Sequence, residues 1–194
     1  ILQPFYREAN RRSRGRSTQS NTESSIDHKS SNTNISNTNN TIKPDVESAD
    51  SETNTVKVKN HHGGGITLKQ TVQDNASRDL LYVEAVDTIR SGNLWEPAMR
   101  KAEQSQGHKP AVLINKFHEF YTKIYQRSKN DRYAIEGLDL LLWSLAVAED
   151  NSTNEEISAT FEDFREEVSS NLKRLLRDFP ELSEDELETN DNLT

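Results

Sequence analysis

The sequence lacks cysteine and is poor in hydrophobic residues. With no cysteine among its 194 residues, the chain can form no disulfide, no thiolate nucleophile and no cysteine-ligated zinc site. Hydrophobic residues make up 31% of the chain, whereas a globular domain counted with glycine typically has about 45–50%. A shortage of this size means that part of the chain cannot contribute to a hydrophobic core.

The shortage is concentrated in the first third of the chain. No aromatic residue lies between Tyr6 and Tyr82, and residues 17–62 are rich in Ser, Thr and Asn. These side chains favour turns through local hydrogen bonds, and they bury too little apolar surface to offset the conformational entropy of the chain. We therefore expect residues 1–66 to form a disordered tail, with residues 55–59 as a lone edge strand at best.

The sequence also lacks a hydrophobic run long enough to span a membrane, which takes about 20 residues. Its most apolar stretch is residues 137–147, GLDLLLWSLAV. Because the apolar residues surround every side of a helix, this stretch predicts a buried core helix. A charged side chain at either Leu141 or Leu142 is then expected to unfold the domain.

The spacing of the remaining apolar residues predicts an all-α fold, a small bundle of four to five helices over residues 67–180. A first helix is expected to be capped by Asp74 or Ser77 and to end near Arg90, before Gly92. A second helix is predicted over about 94–105, and a third opens at Pro110, since proline is tolerated in the first turn.

The last two predicted helices have the clearest signals. The fourth contains residues 137–147, and the fifth follows a capping box that begins at Ser152 or Thr153. We expect the fourth helix to be covered by the apolar stripes of the third and fifth helices. The fifth helix has a stripe of seven apolar residues near the helical period: Ile157, Phe161, Phe164, Val168, Leu172, Leu175 and Phe179.

Charge is segregated along the chain, whose net charge is −8. Residues 100–132 carry eight basic and three acidic side chains, whereas residues 149–194 carry four basic and fifteen acidic ones. A nucleic-acid-binding protein should be basic where it meets phosphate, so nucleic acid is not the favoured partner. The acidic end suits a partner protein with a basic surface, or it serves solubility. The basic middle can attract the acidic tail of the same chain, a second copy or an anionic ligand.

No combination of residues predicts catalysis. His118 lies beside a predicted apolar stripe, without a serine or cysteine nucleophile and a supporting acid. The carboxylates of the fifth helix fall between its apolar positions, as on a solvated face. His61 and His62 have no third ligand at a metal-site spacing. We therefore expect a non-enzymatic protein with no cofactor and no bound metal.

Two kinds of modification signal are present. The arginines at positions 11, 12 and 14 resemble the basic processing site of secreted precursors, and they also fit a phosphate-contacting arm, a nuclear import signal or a plain tail. The candidate processing residues are Arg11, Arg12 and Arg14. Five N-glycosylation sequons slightly favour a secreted protein, at Asn34, Asn39, Asn75, Asn151 and Asn192.

The acidic tail, residues 181–194, continues an acidic segment that begins at the end of the fifth helix. Residues 177–188, RDFPELSEDELE, locally resemble the tails of hirudin-type thrombin inhibitors, which place an aromatic residue and carboxylates on a basic protease surface. The segment is also similar to an acidic transactivation segment, and a solubilising tail is the third interpretation. The candidate partner-binding residues are Asp178, Phe179, Glu181, Leu182, Glu184, Asp185 and Glu186.

These predictions combine into one functional interpretation. We expect a secreted binding protein of salivary or effector type, which engages an extracellular or host protein through its charged helical surface or its acidic tail. The alternative is an intracellular or viral adaptor or regulatory protein with a basic arm and an acidic partner-recruiting tail. The sequence leaves the oligomeric state open.

Overall fold

A computed structural model describes residues 26–42, 44–76, 79, 81–89, 91–102 and 107–181 of the protein. The strands in these ranges are β1 (Asp45–Asp50), β2 (Thr55–Lys59), β3 (Gly65–Lys69), β4 (Thr71–Ala76), β5 (Val83–Val86), β6 (Trp95–Ala102) and β7 (Lys109–Asn115). The α-helices are α1 (Lys29–Thr38), α2 (Arg132–Asp150) and α3 (Glu155–Leu176), with a 3-10 turn at Asn39–Thr41 and a π-helical turn at Tyr121–Tyr125.

The strands form two sheets, so the predicted all-α fold is wrong and the protein mixes α and β structure. The three-stranded sheet has the order β1-β2-β3, with antiparallel neighbours. The four-stranded sheet has the order β4-β6-β7-β5. Its two central strands are antiparallel, and each outer strand runs parallel to the strand beside it.

The error lies in the first three predicted helices. Residues 74–90 contain the end of β4 and all of β5, residues 94–105 contain β6, and the segment expected to open a helix at Pro110 is β7. From Pro110 to Asn115 every residue of β7 is buried. A strand that is covered on both faces is continuously apolar, and short apolar runs of this kind have no spacing that distinguishes them from a buried helix.

The three-stranded sheet occupies part of the segment that was expected to be disordered. In β2 and β3 the side chains alternate between buried and exposed, as in a half-buried antiparallel sheet. Val56 pairs with Leu68 and Val58 with Ile66, and these four side chains pack against Met99 of β6 and against β4. Residues 55–59 are therefore the central strand of this sheet, not a lone edge strand.

Helix α1 shows why polar composition misled the prediction of a tail. The Asn32 side chain lies against β5, where its Oδ1 accepts hydrogen bonds from Tyr82 N at 2.7 Å and Val83 N at 3.0 Å. Its Nδ2 donates to Val83 O at 3.1 Å. One asparagine thus bonds the edge of β5 as a neighbouring strand would. The side-chain amide of Asn32 thus joins α1 to β5 through specific backbone groups, which composition does not reveal.

The helix predicted around residues 137–147 is present as α2. Asp131 caps it by accepting from Tyr133 N and Ala134 N at 3.1 and 3.0 Å. Leu142 and Trp143 are buried in the main core together with side chains of β6 and β7. The cover of α2 is therefore the sheet and α1 rather than two further bundle helices. None of the described helices is long and apolar enough to cross a membrane.

Candidate partner-binding surface

Helix α3 is the fifth helix that the sequence predicted. Its cap is Asn154, whose Oδ1 accepts from Ile157 N at 2.9 Å, rather than the predicted Ser152 or Thr153. Two glutamates lie in its first turn, and a lysine and an arginine lie in its last turn. Both ends therefore complement the helix dipole, which stabilises α3 locally.

Polar residues hold α3 against the rest of the protein. Arg165 Nη1 donates to the two carboxylate oxygens of Glu149 at 2.5 and 2.6 Å. Ser169 Oγ accepts from Leu94 N at 3.0 Å. Arg165 and Ser169 are both buried, although both are polar. Because hydrogen bonds are directional, these two contacts fix the rotation of α3 about its own axis.

His118 contributes a third polar contact to the same face of α3. Its Nδ1 accepts from Phe120 N at 3.1 Å, so its Nε2 carries the proton and donates to Ser169 O at 3.1 Å. Burial lowers the pKa of this imidazole, and its hydrogen bond to the Ser169 carbonyl opposes that shift. His118 is therefore a neutral, buried side chain that positions α3, where the sequence predicted a boundary histidine.

Two basic residues of the predicted basic middle hold the end of α3. Lys123 Nζ donates to Leu176 O at 2.8 Å and to Arg177 O at 3.2 Å. Arg127 donates to Pro180 O at 2.8 Å and to Glu181 O at 3.2 Å. The cations thus bind backbone carbonyls at the end of the last helical turn and just beyond it, where the helix dipole favours positive charge.

These contacts leave the apolar stripe of α3 only partly covered. We use the name "α3 stripe" for the seven predicted residues Ile157, Phe161, Phe164, Val168, Leu172, Leu175 and Phe179. Val168 and Leu172 pack against the main core. Phe164 and Leu175 are 49% and 77% exposed. The helix is therefore rotated so that Arg165 and Ser169 are buried beside Leu176, while one side of the α3 stripe, with Phe164 and Leu175, lies on the surface.

Exposed carboxylates occupy the surface of α3 beside the α3 stripe. They all lie between positions 155 and 167, and together they make this region strongly acidic. A surface with exposed large apolar side chains beside one sign of charge is typical of a protein-binding site. The exposed carboxylates are those of Glu155, Glu156, Glu162, Asp163, Glu166 and Glu167.

The predicted partner-binding residues at the C-terminus are only partly within the described structure. Asp178, Phe179 and Glu181 are exposed, and the Phe179 ring lies under the Arg127 guanidinium, with 5.2 Å between its carbon and the ring centroid. Phe179 and Glu181 are thus brought together by Arg127 at the end of the α3 stripe. The other four predicted residues lie outside the described residues: Leu182, Glu184, Asp185 and Glu186.

The predicted modification sites are scattered. Asn34 is exposed on α1 and donates to Glu136 Oε1 at 2.9 Å, whereas Asn39 is buried. Asn151 is half-buried and donates to Val147 O at 2.9 Å. Asn75 lies in β4. Glycosylation and processing remain predictions, and Arg11, Arg12, Arg14 and Asn192 lie outside the described residues.

Sequence reasoning missed a buried polar cluster between α1 and α2, which we call the Asp139 network. Asp139 Oδ2 accepts from Ser31 Oγ at 2.6 Å and lies 2.8 Å from His28 Nδ1, while Asp139 Oδ1 accepts from Tyr125 OH at 3.2 Å. All four residues are buried. One feature of the sequence could have indicated this network: Asp139 stands among the apolar residues of a predicted helix. A buried aspartate is rare unless it has polar partners.

The Asp139 network contains a serine, a histidine and an aspartate, but their arrangement is structural. In a hydrolase triad the serine bonds to the histidine, which takes its proton. Here Ser31 Oγ donates to the carboxylate, and His28 Nε2 has no hydrogen-bond partner among the described residues. Burial and Asp139 raise the pKa of Tyr125. The network therefore anchors α1 to α2. Among the described residues, no group of three or more metal-ligating side chains could hold a metal ion.

We expect Asp150→Asn to reduce the pH dependence of stability. Asp150 is buried next to Glu149, and burial raises its pKa well above the usual 3.8. The unfolded chain releases this proton above about pH 4 while the folded protein keeps it, so the free energy of unfolding decreases as the pH rises toward the folded pKa. Urea titrations between about pH 4 and 8 should show a smaller decrease for the variant. Equal slopes for both proteins would contradict a protonated Asp150.

Comparison with known proteins adds no assignment. No family model matches the chain, and neither the curated proteins nor the solved structures that were compared gave a match. The functional argument therefore depends on the described surfaces.

Proposed function

We propose that this protein is a non-enzymatic binding module whose binding surface is the α3 stripe together with the acidic side of α3. The observation that carries the proposal is the rotation of α3, which buries Arg165 and Ser169 and exposes Phe164 and Leu175. An amphipathic helix normally buries its apolar stripe in its own core. A stripe left exposed by specific polar contacts is instead available to a partner.

The chemistry of the surface indicates the kind of partner. Large apolar side chains are the usual energetic centre of a protein interface, and aromatic residues are enriched among them. The carboxylates of α3 favour a partner with a basic rim around an apolar groove, since complementary charge speeds association and fixes orientation. The partner is therefore a protein with a groove for an amphipathic helix face and a basic surface beside it.

Photo-cross-linking tests this proposal in the native fluid or extract. A photoreactive phenylalanine replaces Phe164 in one variant and Glu52, an exposed residue of the turn between β1 and β2, in a control variant. We expect one main cross-linked protein from position 164, with a yield that falls as salt concentration rises because charge attraction is screened. Unlabelled wild-type protein should compete for the adduct.

The matched competitors identify the surface. Phe164→Ser should compete at least about tenfold less well than wild type, as expected for loss of a central aromatic contact. Tyr133→Ser, which removes an exposed aromatic residue of α2, should compete like wild type. Equal adducts from positions 164 and 52, or full competition by Phe164→Ser, would overturn the proposed binding surface.

The compartment is a separate part of the proposal. We favour a secreted protein on the basis of the sequons, with the intracellular or viral adaptor as the alternative. Intact mass of the native chain distinguishes them, since a glycan on Asn34 requires passage through a glycosylating pathway, whereas an unmodified Asn34 together with a phosphorylated Ser13 or Ser17 favours the alternative.

A further inference from the structure

His118 is the member of the α3 attachment that can change its charge near neutral pH. Its side chain is 1% exposed, and backbone groups bond to both nitrogens of its ring. Nδ1 accepts from Phe120 N, whereas Nε2 donates to Ser169 O on α3. Histidine is the side chain whose unperturbed pKa lies between about pH 5 and 8. A mild acid can therefore act on this contact.

Protonation of His118 cannot preserve both of these hydrogen bonds. A protonated imidazole has a proton on each nitrogen and no acceptor. The Nδ1 proton would point at the Phe120 N–H, so two donors would face each other in a buried site, which is costly. A rotation that separates them also moves Nε2 away from Ser169 O, because both nitrogens belong to one rigid ring. The proton therefore breaks the contact between His118 and α3.

The surroundings of His118 include a second cation. Lys173 lies one turn after Ser169 on α3, and its Nζ is held by a hydrogen bond to Gly92 O at 2.8 Å. The pKa of His118 lies below the usual 6.5, mainly because the ring is buried. The hydrogen bond to Ser169 O opposes this shift, the charge of Lys173 adds to it, and the carboxylate of Glu119 opposes it. A proton on His118 would thus be buried beside a like charge.

The packing of α3 makes such a loss important. Helix α3 is described along its whole length, and of its three buried residues only Leu176 is apolar. The other two, Arg165 and Ser169, are held by hydrogen bonds. Val168 and Leu172 are half-buried against the main core. Because little apolar surface is buried, the polar contacts supply much of the free energy that docks this helix.

The N-terminal half of α3 responds to pH in the opposite sense. There Arg165 donates to Glu149, which is followed by the fully buried Asp150. Burial raises the pKa of both carboxyl groups. The docked state therefore binds their protons more tightly than a released state would, so acid favours docking at this end. Acid then favours release only in the half of α3 that His118 holds.

We propose that His118 is an acid-sensitive switch, whose protonation releases the C-terminal half of α3, residues 169–176, from the rest of the fold. In the released state the imidazole takes up a proton below about pH 6.5, whereas in the docked state it does so only at lower pH. Proton uptake therefore favours the released state. The free energy of docking is complete above about pH 6.5 and decreases as the pH falls below that value.

Release changes the apolar surface that α3 offers. Leu172 and Leu176 are uncovered and join the exposed Leu175, so that the apolar surface of the helix becomes larger. The effect on a partner rests on the proposed function, because it concerns the same α3 stripe. The release itself is measured on the protein alone. A failed release therefore leaves the proposed binding surface intact, and a failed cross-link leaves the switch intact.

Amide hydrogen exchange of the full chain at about pH 7 and pH 5 tests the switch, with rates corrected for the intrinsic exchange rate at each pH. The equilibrium constant for opening of residues 169–176 should rise by about five- to thirtyfold, relative to residues 142–147 in the core of α2. The upper limit is the ratio of protonated to neutral imidazole at about pH 5 for a free histidine. Residues 155–165 should show no such rise. An equal change in residues 142–147 and 169–176 overturns the proposal.

His118→Gln is the matched control. The glutamine amide can still donate to Ser169 O, but it does not titrate, so the opening constant of residues 169–176 should change by less than about twofold over the same pH range. A rise equal to that of wild type overturns the switch.

A second measurement needs no variant, and it decides the matter if His118→Gln lacks the native circular dichroism spectrum at neutral pH. In an NMR titration of wild type, the amide of Phe120 loses its acceptor as His118 is protonated. Its resonance should shift with the same midpoint as the resonances of residues 169–176, below about pH 6.5. Different midpoints for Phe120 and residues 169–176 overturn the proposal.

Discussion

Asp139→Ala should lower the free energy of unfolding by about 3–5 kcal/mol, because it removes the acceptor of a fully buried polar network. Ser31, Tyr125 and His28 all direct a polar atom at this carboxylate. Without it, their donors remain buried and unpaired, which is the costly case. Urea unfolding followed by circular dichroism measures the loss, and hydrogen exchange should show that α1 is released first.

A neighbouring carboxylate provides the control. Glu136 lies one turn before Asp139 and accepts from Ser30 and Asn34, but near the surface, where water can replace it. Glu136→Ala should therefore cost less than about 1 kcal/mol. If Asp139→Ala were as mild as Glu136→Ala, α1 would not be held by the Asp139 network.

Leu142→Glu should unfold the protein, whereas Leu141→Glu should change the free energy of unfolding by less than about 1 kcal/mol. Leu142 is 5% exposed within the main core, while Leu141 is 56% exposed. An unpaired carboxylate in the core costs about 4 kcal/mol or more, a large share of a typical domain stability of about 5–15 kcal/mol. Both variants introduce glutamate, which has a favourable helix propensity, so helix propensity does not account for the expected difference in their stability.

Thermal unfolding by circular dichroism distinguishes the two variants. The sequence predicted that a charge at either position would unfold the domain, since both leucines lie in one apolar run. The structure corrects this for Leu141, which faces solvent. A cooperative transition for Leu142→Glu near that of wild type would contradict the position of Leu142 in the core.

The helical part of the fold was predictable where local signals agree. Helix α2 was predicted from the apolar run after Asp131, and α3 from its cap region and seven-residue stripe. Caps and helical periodicity depend on residues within one or two turns, so the sequence contains them directly. These local signals placed the start of α2 after Asp131, whereas the cap of α3 is Asn154 rather than the predicted Ser152 or Thr153.

The strands were not predictable by the same means. β6 and β7 pair with each other and with strands far away in sequence. Their apolar residues satisfy a helical spacing as well as a strand, so only the pairing decides between them. The prediction of disorder at helix α1 was wrong for a related reason. The hydrogen bonds of Asn32 and Ser31 that hold α1 are made with groups 50 and 108 residues away in the sequence.

The candidate surface was half predicted. The sequence contained the α3 stripe and its acidic residues, and it indicated a charged helical surface for a partner. From the helical spacing of its apolar residues, we expected the α3 stripe to pack against α2. The polar contacts of Arg165 and Ser169 decided instead which face is buried, and their partners Glu149 and Leu94 come from other elements.

By itself, the sequence determined that the chain has no disulfide, that its charge is segregated, and that residues around α2 and α3 form helices. Composition and local spacing fix these properties because each depends only on residue type and near neighbours. Only the tertiary structure decided that the fold contains two sheets, that the polar segment from Ile26 onward is folded, and that both helices expose apolar residues. These outcomes depend on which distant groups meet, since a buried polar atom must find its partner wherever the fold places one.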